Sequence, residues 1–200
     1  NKKINLTAII EPEEIILKHF IDSLTILNEI EEDDVVADIG TGAGFPGIPI
    51  KIAKPNTEMI LVDSLNKRIK FIEEIIKENS LNKIRAIHSR AEEIGHNKNY
   101  RGSCDVVTSR AVAKLNVLVE YMLPLVKIGG KCICLKGPNV DEEIKEAENA
   151  IHILGGAIEK VKNITLPESD NKRTIIVIKA VKQSPNKYPR KAGTPSVSPL

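Results

Sequence analysis

The chain has 200 residues, of which 42% are hydrophobic and 28% charged. This length allows one sizeable core and is short for two domains of ordinary size, so we expect a single globular domain with short extensions. No apolar run approaches the roughly 18 residues of a membrane helix, and no secretory leader opens the sequence, so we expect a soluble cytoplasmic protein. The three cysteines lack the count of a disulfide framework and the spacing of a zinc site; Cys132 and Cys134 are expected to be buried on one face of a strand.

Charge is distributed unevenly along the chain. The net charge is +2, but residues 171–200 contain seven Lys and Arg and no Asp or Glu, whereas residues 1–170 sum to −5. A basic end on a mildly acidic body favours a polyanionic partner, with a solvated basic tail as the alternative. Only 3% of residues are aromatic and none is Trp, so phosphate contacts must supply much of any nucleic-acid affinity.

The hydrophobic pattern predicts the secondary structure in chain order. Residues 12–31 follow a helical period after Pro12, which predicts an amphipathic N-terminal helix. Strands are then predicted at residues 35–39, 58–62, 84–87, 105–108 and 131–135, alternating with helices at 46–53, 65–78, 115–126 and 142–154. We expect Ser64 to cap the helix at 65–78, whose apolar stripe is Leu65, Ile69, Ile72 and Ile76.

Two further strands, at residues 158–166 and 174–181, predict a terminal hairpin whose last strand is antiparallel to its partner. The fold class is therefore α/β: a doubly wound, Rossmann-like, mostly parallel seven-stranded sheet with an antiparallel terminal hairpin. We divide the chain into an N-terminal helical extension at residues 1–34, a ligand-binding domain at 35–182 and a basic tail at 183–200. The tail is expected to be ordered only if it docks.

The strongest local signal is the segment Asp-Ile-Gly-Thr-Gly-Ala-Gly-Phe-Pro-Gly at residues 38–47, which follows a strand and opens a helix. Its alternate glycines, Gly40, Gly42 and Gly44, let the backbone approach a ligand and direct free amides at it. The segment also fits a dinucleotide fingerprint, and Asp63, which ends the next strand, suits the ribose hydroxyls of either cofactor. The loop alone therefore does not choose between S-adenosylmethionine and NAD.

The context of the loop favours S-adenosylmethionine. Asp38 places a carboxylate where a sulfonium would be attracted to it, with a helix-capping or turn aspartate as the alternative. A parallel sheet that finishes in a hairpin is similar to class I methyltransferases, whereas an NAD-binding Rossmann half normally continues with another βαβ unit. A non-enzymatic NAD-binding Rossmann regulatory module stays open as an alternative, as does RNA binding without catalysis.

Three more positions at the carboxyl ends of strands are candidates. Residues 89–93 follow the third strand, where an adenine ring would rest; a capping box from Ser89 and Glu92 is the alternative. Arg110 offers a planar cation after the fourth strand, with a surface salt bridge as the alternative. Lys136 ends the fifth strand and is a candidate for a phosphate or base contact.

Two observations limit the reaction. The Asn/Asp-Pro-Pro-aromatic segment that amine-directed methyltransferases place after the fourth strand is absent, so an exocyclic amino group is a poor acceptor. His19 and Asp22 lie three apart on the N-terminal helix and are expected to form a hydrogen-bonded pair. We assign no histidine, cysteine or other residue to acid–base or covalent catalysis, and no metal site.

With these residues in view, the chain resembles the RsmG (GidB) family of bacterial 16S ribosomal RNA guanine-N(7) methyltransferases. The matching segments are Asn-Lys-Lys-Ile-Asn-Leu-Thr at the start and residues 18–23, 38–49, 61–65, 90–93, 109–113, 135–137 and 187–195. The resemblance implies a single-domain enzyme of the bacterial cytoplasm that uses S-adenosylmethionine to methylate one guanosine in the 530 loop, on 16S RNA or an assembling small ribosomal subunit. A monomer is the default expectation for its oligomeric state.

The resemblance also implies roles for individual residues. In this family the cofactor contacts fall on the positions of Gly40, Phe45, Ala91, Glu92 and Arg110. In the tail, the basic residues Lys187, Arg190 and Lys191 are the candidates for RNA contacts. Nitrogen 7 of guanine has an in-plane lone pair and no proton, so it needs no general base; orientation alone can supply roughly 7 to 11 kcal/mol of barrier reduction.

Overall fold

The computed structural model describes residues 11–200, so the Asn-Lys-Lys segment at the start lies outside the described residues. One sheet has the strand order β3-β2-β1-β4-β5-β7-β6. Its strands are β1 (Val35–Ile39), β2 (Glu58–Asp63), β3 (Ile84–His88), β4 (Cys104–Arg110), β5 (Val126–Lys136), β6 (Gly156–Thr165) and β7 (Lys172–Ala180). All seven predicted strands are confirmed, and β4 and β5 are longer than their apolar runs.

Strand directions agree with the predicted architecture. β1 runs parallel to β2 and β4, and β4 runs parallel to β5, whereas β7 is antiparallel to both β5 and β6. The chain builds outward from β1 to β3 and then returns to add β4 on the other side of β1. The carboxyl ends of β1 and β4 therefore flank the switch point at which α/β sheets bind ligands.

Helices cover both faces of the sheet. They are α3 (Gly47–Ala53), α4 (Asn66–Glu78), α5 (Ala91–Ile94), α6 (Leu115–Met122) and α7 (Asp141–Ile153). Alternate strand residues point to opposite faces: Val107 packs with α6 and α7, while its neighbour Val106 packs with α3 and α4. The sheet is thus buried between two helical layers.

The cysteines lie inside this core, as predicted. Cys104, Cys132 and Cys134 are free and fully buried, and all three belong to the cluster on the α6 face. Burial raises the pKa of the Cys104 thiol to about 11 and that of Cys134 to about 12. These side chains act as small hydrophobic groups.

The N-terminal helix is shorter than predicted. It comprises α1 (Pro12–Ile15), a π-helical stretch (Ile16–Ile21) and α2 (Asp22–Leu24), and a 3-10 turn follows at Leu27–Glu29. The backbone carbonyls of this stretch have partners outside the regular ladder: the Arg110 guanidinium donates to the Lys18 carbonyl at 3.1 Å, and the Ser23 hydroxyl donates to that of His19. The prediction of one regular helix to residue 31 is therefore wrong.

The start of α4 also differs from the prediction. The helix begins at Asn66 and Leu65 precedes it without a side-chain cap, so the assignment of Ser64 as the cap is wrong. Asp63 Oδ1 instead accepts the Leu65 amide at 2.9 Å. Leu65 is 52% exposed and does not join the apolar stripe, whereas Ile69 and Ile72 are buried.

The C-terminal tail is docked against the domain. Tyr188 is 6% exposed, and a short helix, α8 (Thr194–Val197), lies near the end of the chain. Arg101 donates to the carbonyls of Ser184, Pro185 and Tyr188 at 2.7 to 3.1 Å. The sequence predicted that the tail would be ordered only if it docked, and in the structure it is docked. Within residues 11–200, no helix is both long and apolar enough to cross a bilayer.

Candidate active site

Two adjoining cavities open at the carboxyl ends of the central strands. The first has a volume of about 350 Å³ and the second about 570 Å³. Gly40, Arg68 and Ala111 line both of them, so the two cavities are lobes of one cleft. The cleft lies at the switch point between β1 and β4, where the topology predicts a ligand.

The first cavity has the properties of a nucleoside site. Ile39, Val62 and Val112 give it apolar walls, and the Asp63 carboxylate adds a hydrogen-bond acceptor. Further lining comes from α5, with Ala91 and Glu92; from α6, with Tyr121; and from the tail, with Gly193 and Ser196. Apolar walls with a few placed polar groups suit a flat base joined to a ribose.

The second cavity is cationic. Its lining includes five Lys and Arg side chains and one carboxylate, from Lys18, Arg68, Arg110, Lys136, Arg173 and Asp22. Phe45 adds an aromatic face, and the Arg110 guanidinium lies 5.4 Å from the centre of that ring. An aromatic surface beside planar cations suits a nucleobase with nearby phosphate.

The glycine loop forms the floor between the two cavities. Gly42 has φ +62°, and a Cβ built on it meets nothing closer than the Gly40 carbonyl at 3.9 Å, so it would project into free space. A Cβ on Gly44 would instead collide with Ile48, which shows that Gly44 serves helix packing; Gly44 lines neither cavity. Of these two glycines, Gly42 is the one that leaves room for a ligand.

Asp38 lies beneath this loop rather than on the cleft surface. Its side chain is fully buried, and Oδ2 accepts the Gly47 amide at 3.0 Å at the start of α3. Burial raises its pKa to about 6, although the Gly47 amide opposes the shift. Asp38 Oδ1 and the Thr41 hydroxyl are buried without a hydrogen-bond partner among the described residues. The contact of Asp38 with the first turn of α3 matches the helix-capping alternative, and its Oδ1 is the oxygen that makes no hydrogen bond among the described residues.

Asp63 ties the glycine loop to α4. Its Oδ2 accepts the Gly42 amide at 3.0 Å and the Arg68 guanidinium at 3.2 Å, while Oδ1 accepts the Leu65 amide. Asp63 lines the first cavity, and because a carboxylate oxygen has two acceptor positions, Oδ1 retains one of them. The structure thus places Asp63 where the sequence predicted it, with a loop-positioning contact that the sequence did not indicate.

Glu92 also lines the first cavity, although the expected capping box is displaced by one residue. Arg90 precedes α5, and its amide donates to Glu93 at 3.4 Å, so the Ser89–Glu92 alternative is wrong. Glu92 is 7% exposed, and its Oε1 accepts the Gly193 amide of the tail at 3.0 Å.

Arg110 connects the second cavity to the N-terminal helix. Its side chain is 15% exposed, and it donates to Asp22 Oδ2 at 3.3 Å and to His19 Nδ1 at 3.3 Å. Asp22 accepts a second guanidinium, that of Arg173, at 3.1 Å. The surface-salt-bridge alternative for Arg110 is therefore wrong, because the ion pair is buried.

The expected His19–Asp22 hydrogen bond is replaced by contacts of both residues with Arg110. Arginine only donates, so His19 Nδ1 is the acceptor and the neutral ring carries its proton on Nε2. Burial and then the charge of Arg110 lower the pKa of His19. The ring stacks on Phe45 with centroids 4.9 Å apart. Asp22 and Arg173 were missed as site residues, because nothing in their local sequence indicates that they meet.

Two of the four predicted RNA contacts have protein partners in the structure. Lys136 donates to Glu143 Oε1 and to the Ala113 carbonyl, both at 2.6 Å. Arg190 pairs with the fully buried Glu120 through bonds of 2.6 and 2.9 Å. Both cations have a carboxylate partner within the protein, which gives each of them a structural role beside the predicted RNA contact.

The remaining predicted contacts are placed as follows. Lys187 and Lys191 are exposed on the docked tail. Phe45 and Arg110 meet in the second cavity, and Ala91 and Glu92 meet in the first.

Comparison with known proteins adds to this geometry. Solved structures share the fold: precorrin-6y C5,15-methyltransferase from Geobacter metallireducens is 18% identical with a TM-score of 0.58, covering 78% of this chain and 85% of that one. TYW2 from M. jannaschii, solved with AdoMet, is 15% identical with a TM-score of 0.65, covering 86% and 77%.

Sequence relatives are much more similar. The ribosomal RNA small subunit methyltransferase G of Desulforamulus reducens is 56% identical over 100% of this chain and 84% of its own length, and that of Lactobacillus johnsonii is 50% identical over 100% and 85%. The family model described as GidB, rRNA small subunit methyltransferase G, matches residues 1–176. The chain therefore belongs to the rRNA small subunit methyltransferase G (GidB) family.

Proposed function

We propose that this protein transfers a methyl group from S-adenosylmethionine to nitrogen 7 of a guanosine in the 530 loop of 16S ribosomal RNA. One observation carries the choice of acceptor atom. The ionisable side chains that line the second cavity are already engaged by the protein: Lys18 with Glu14, Arg68 with Asp63, Lys136 with Glu143, Asp22 with Arg110 and Arg173, and His19, through Nδ1, with Arg110. Such a cavity orients an acceptor and takes no proton from it, which suits nitrogen 7.

The first cavity and the glycine loop fit the cofactor. S-adenosylmethionine, when bound, supplies an electrophilic methyl group on a sulfonium centre. Asp63 would accept a ribose hydroxyl with the free position of Oδ1, and Gly42 would leave room for the chain that joins the nucleoside to the sulfonium. The buried charge of Asp38 beneath the loop would favour a cation above it.

The second cavity would hold the guanine. Phe45 offers an aromatic face for stacking, and Arg110 is fixed over the same ring by its contacts with the N-terminal helix. Its position between the loop and the second cavity is compatible with a contact to the cofactor, which is the role that the family resemblance implies. Holding donor and acceptor in line is the enzyme's main task, because nitrogen 7 is nucleophilic as it stands.

A binding experiment tests the cofactor. Calorimetric titration of the full chain is expected to show S-adenosylmethionine binding and no NAD binding. The relatives of this chain are named methyltransferases, which disfavours the NAD-binding regulatory module considered from the sequence. Binding of NAD in place of S-adenosylmethionine would overturn the proposal.

A methylation assay tests the acceptor. 16S RNA and small-subunit particles, each incubated with protein and labelled cofactor, are then cleaved chemically at 7-methylguanosine. We expect one cleavage site. Label incorporated without cleavage would place the methyl group on another atom and contradict the proposal. Comparison of the two substrates shows whether free RNA or the assembling subunit is used.

The tail lysines are proposed to contact RNA phosphates. Replacing both Lys187 and Lys191 with Ala is expected to reduce the slope of log affinity against log salt by about 0.7 to 0.9 per contact. Lys77→Ala, an exposed lysine in the last turn of α4, is the control. An unchanged slope in the double variant would show that these lysines do not touch RNA.

A further inference from the structure

The tail carries a feature that its basic residues do not explain. Beyond its last cation, Lys191, the segment 192–200 has no charged side chain, yet it reaches the first cavity. The Gly193 amide donates to Glu92 Oε1 at 3.0 Å, and the Ser196 hydroxyl hydrogen-bonds to the Tyr121 hydroxyl at 3.1 Å. Both tail residues line that cavity together with Asp63 and Ala91.

This segment is held in place by anchors that precede it. Arg190 pairs with buried Glu120, and Arg101 binds three carbonyls between residues 184 and 188. His96 contacts the Pro189 carbonyl through Nε2 at 2.5 Å. These anchors lie outside the cavity lining, so they hold residues 184–190 independently of the cavity and bring residues 193–196 to its wall.

The contact between Gly193 and Glu92 determines which hydrogen-bonding groups line this side of the cavity. Glu92 is nearly buried, and one of its oxygens is satisfied by the tail amide, so the carboxylate is fixed in the wall with its other oxygen remaining. The Tyr121–Ser196 pair adds two hydroxyl groups, each of which can donate or accept. Without the tail, Glu92 and Tyr121 would each lose a partner, and this side of the cavity would open to water.

We infer that residues 193–196 are part of the nucleoside-binding site, and that the Ser196 hydroxyl and the Gly193–Glu92 contact set the affinity for the cofactor's nucleoside half. This rests on the proposed use of S-adenosylmethionine. The family model matches residues 1–176, so it assigns nothing to this segment. The tail thus has two functions, one for each of its halves: cations for RNA at 187–191 and a cavity wall at 193–196.

Deletion of residues 192–200 separates these functions. The shortened chain keeps Arg190, the Arg101 contacts and every tail cation. Its dissociation constant for S-adenosylhomocysteine is expected to rise roughly tenfold or more, the effect of losing one or two hydrogen bonds in a cavity. The slope of log RNA affinity against log salt is expected to change by less than one phosphate contact, about 0.7, because every tail cation is kept and the only new charge is the terminal carboxylate on Lys191.

A point variant covers the case in which the shortened chain does not fold. The double variant Tyr121→Phe, Ser196→Ala removes both hydroxyls and is expected to weaken S-adenosylhomocysteine binding by roughly three- to tenfold. Ser198→Ala, two residues further along and exposed, is the matched control.

The outcomes distinguish this inference from the proposed function. Unchanged affinity in the folded deletion variant, or in the double variant, would overturn the inference while leaving the methyltransferase proposal intact. If the wild-type chain itself fails to bind S-adenosylhomocysteine, the proposed function fails first. A changed RNA salt slope with normal cofactor affinity would assign the segment to RNA and also overturn the inference.

Discussion

At Gly42, adding a side chain should abolish ligand binding without unfolding the protein. A valine there would project into the cleft, and the φ of +62° adds strain of about 1 to 2 kcal/mol for a residue with a Cβ. We expect Gly42→Val to abolish S-adenosylmethionine binding in a calorimetric titration while the protein stays folded. Gly129→Val is the control for strain, because Gly129 has φ +85°, has no atom near its Cβ position and lines neither cavity. Retained affinity in Gly42→Val would show that the loop does not hold the cofactor.

Asp38 predicts a pH-dependent stability. Its folded pKa of about 6 exceeds the ordinary value of 3.8, so its contribution to stability is present in full below pH 3.8 and is lost as the pH rises through 6. Asp38→Asn does not titrate, so its advantage over the wild-type chain should be absent near pH 4 and reach about 3 kcal/mol above pH 7. Thermal unfolding of the ligand-free protein between pH 4 and 8 measures this, with the exposed Asp170→Asn as the control. A constant difference across that range would contradict the assigned pKa.

At the scale of elements, the tail should contribute to the stability of the domain through Glu120. Replacing Arg190 with Met leaves a fully buried carboxylate without its cation, which should lower the free energy of unfolding by on the order of 3 kcal/mol. Adding Glu120→Gln should restore most of the loss. Lys191→Met, the neighbouring exposed residue, should have little effect in the same urea titration. Equal stabilities of the Arg190 and Lys191 variants would show that the tail does not dock through this pair.

The strands were predicted from the sequence more accurately than the N-terminal helix and the start of α4. The central strands β1, β2 and β4 follow from apolar runs that are buried on both faces, and their bounds agree with the prediction to within two residues. β5 begins five residues before its predicted start, because residues 127–129 are exposed and do not continue the apolar run. The N-terminal helix was predicted too long because the apolar residues Ile26, Leu27 and Ile30 still pack into the core after the α-helix ends at Leu24. The cap of α4 was misjudged because Asp63 both ends a strand and accepts the Leu65 amide. Local patterns do not contain such long-range or shared contacts.

For the whole molecule, Arg110 joins segments that are distant in sequence. Its guanidinium group binds the N-terminal helix through Asp22. The same carboxylate of Asp22 also accepts Arg173, which lies at the start of β7. Arg110→Lys keeps the charge and loses the planar guanidinium, so we expect faster hydrogen exchange in residues 16–24 and a fall in methyl transfer of roughly 100-fold through misplacement of the cofactor relative to the acceptor. Arg85→Lys, which alters an exposed pair with Glu58, should change neither. Normal exchange together with normal transfer in Arg110→Lys would remove Arg110 from the site.

The site residues at strand ends could be predicted from the sequence, whereas those whose partners are distant along the chain could not. The glycine loop, Asp63, Ala91 and Glu92 follow from motifs at strand ends, because parallel strands bring those ends together. Which cations are free does not follow, since Lys136 and Arg190 find carboxylates that are distant in space until the chain folds. The tail residues of the first cavity were not predicted either, because a segment rich in Pro, Ser and Gly has no periodicity that reveals its docking.

The three buried thiols in the centre of the sheet allow its opening to be measured by their alkylation. A thiol whose pKa lies near 11 or 12 is almost entirely protonated at neutral pH, and alkylating reagents react with the thiolate. The folded chain should therefore be inert to iodoacetamide until β4 or β5 separates from its neighbours. The rate of alkylation, followed by mass, then measures how often the sheet opens, without any label that could disturb the cleft. Cofactor or RNA that binds the folded state would register as slower alkylation in the same experiment.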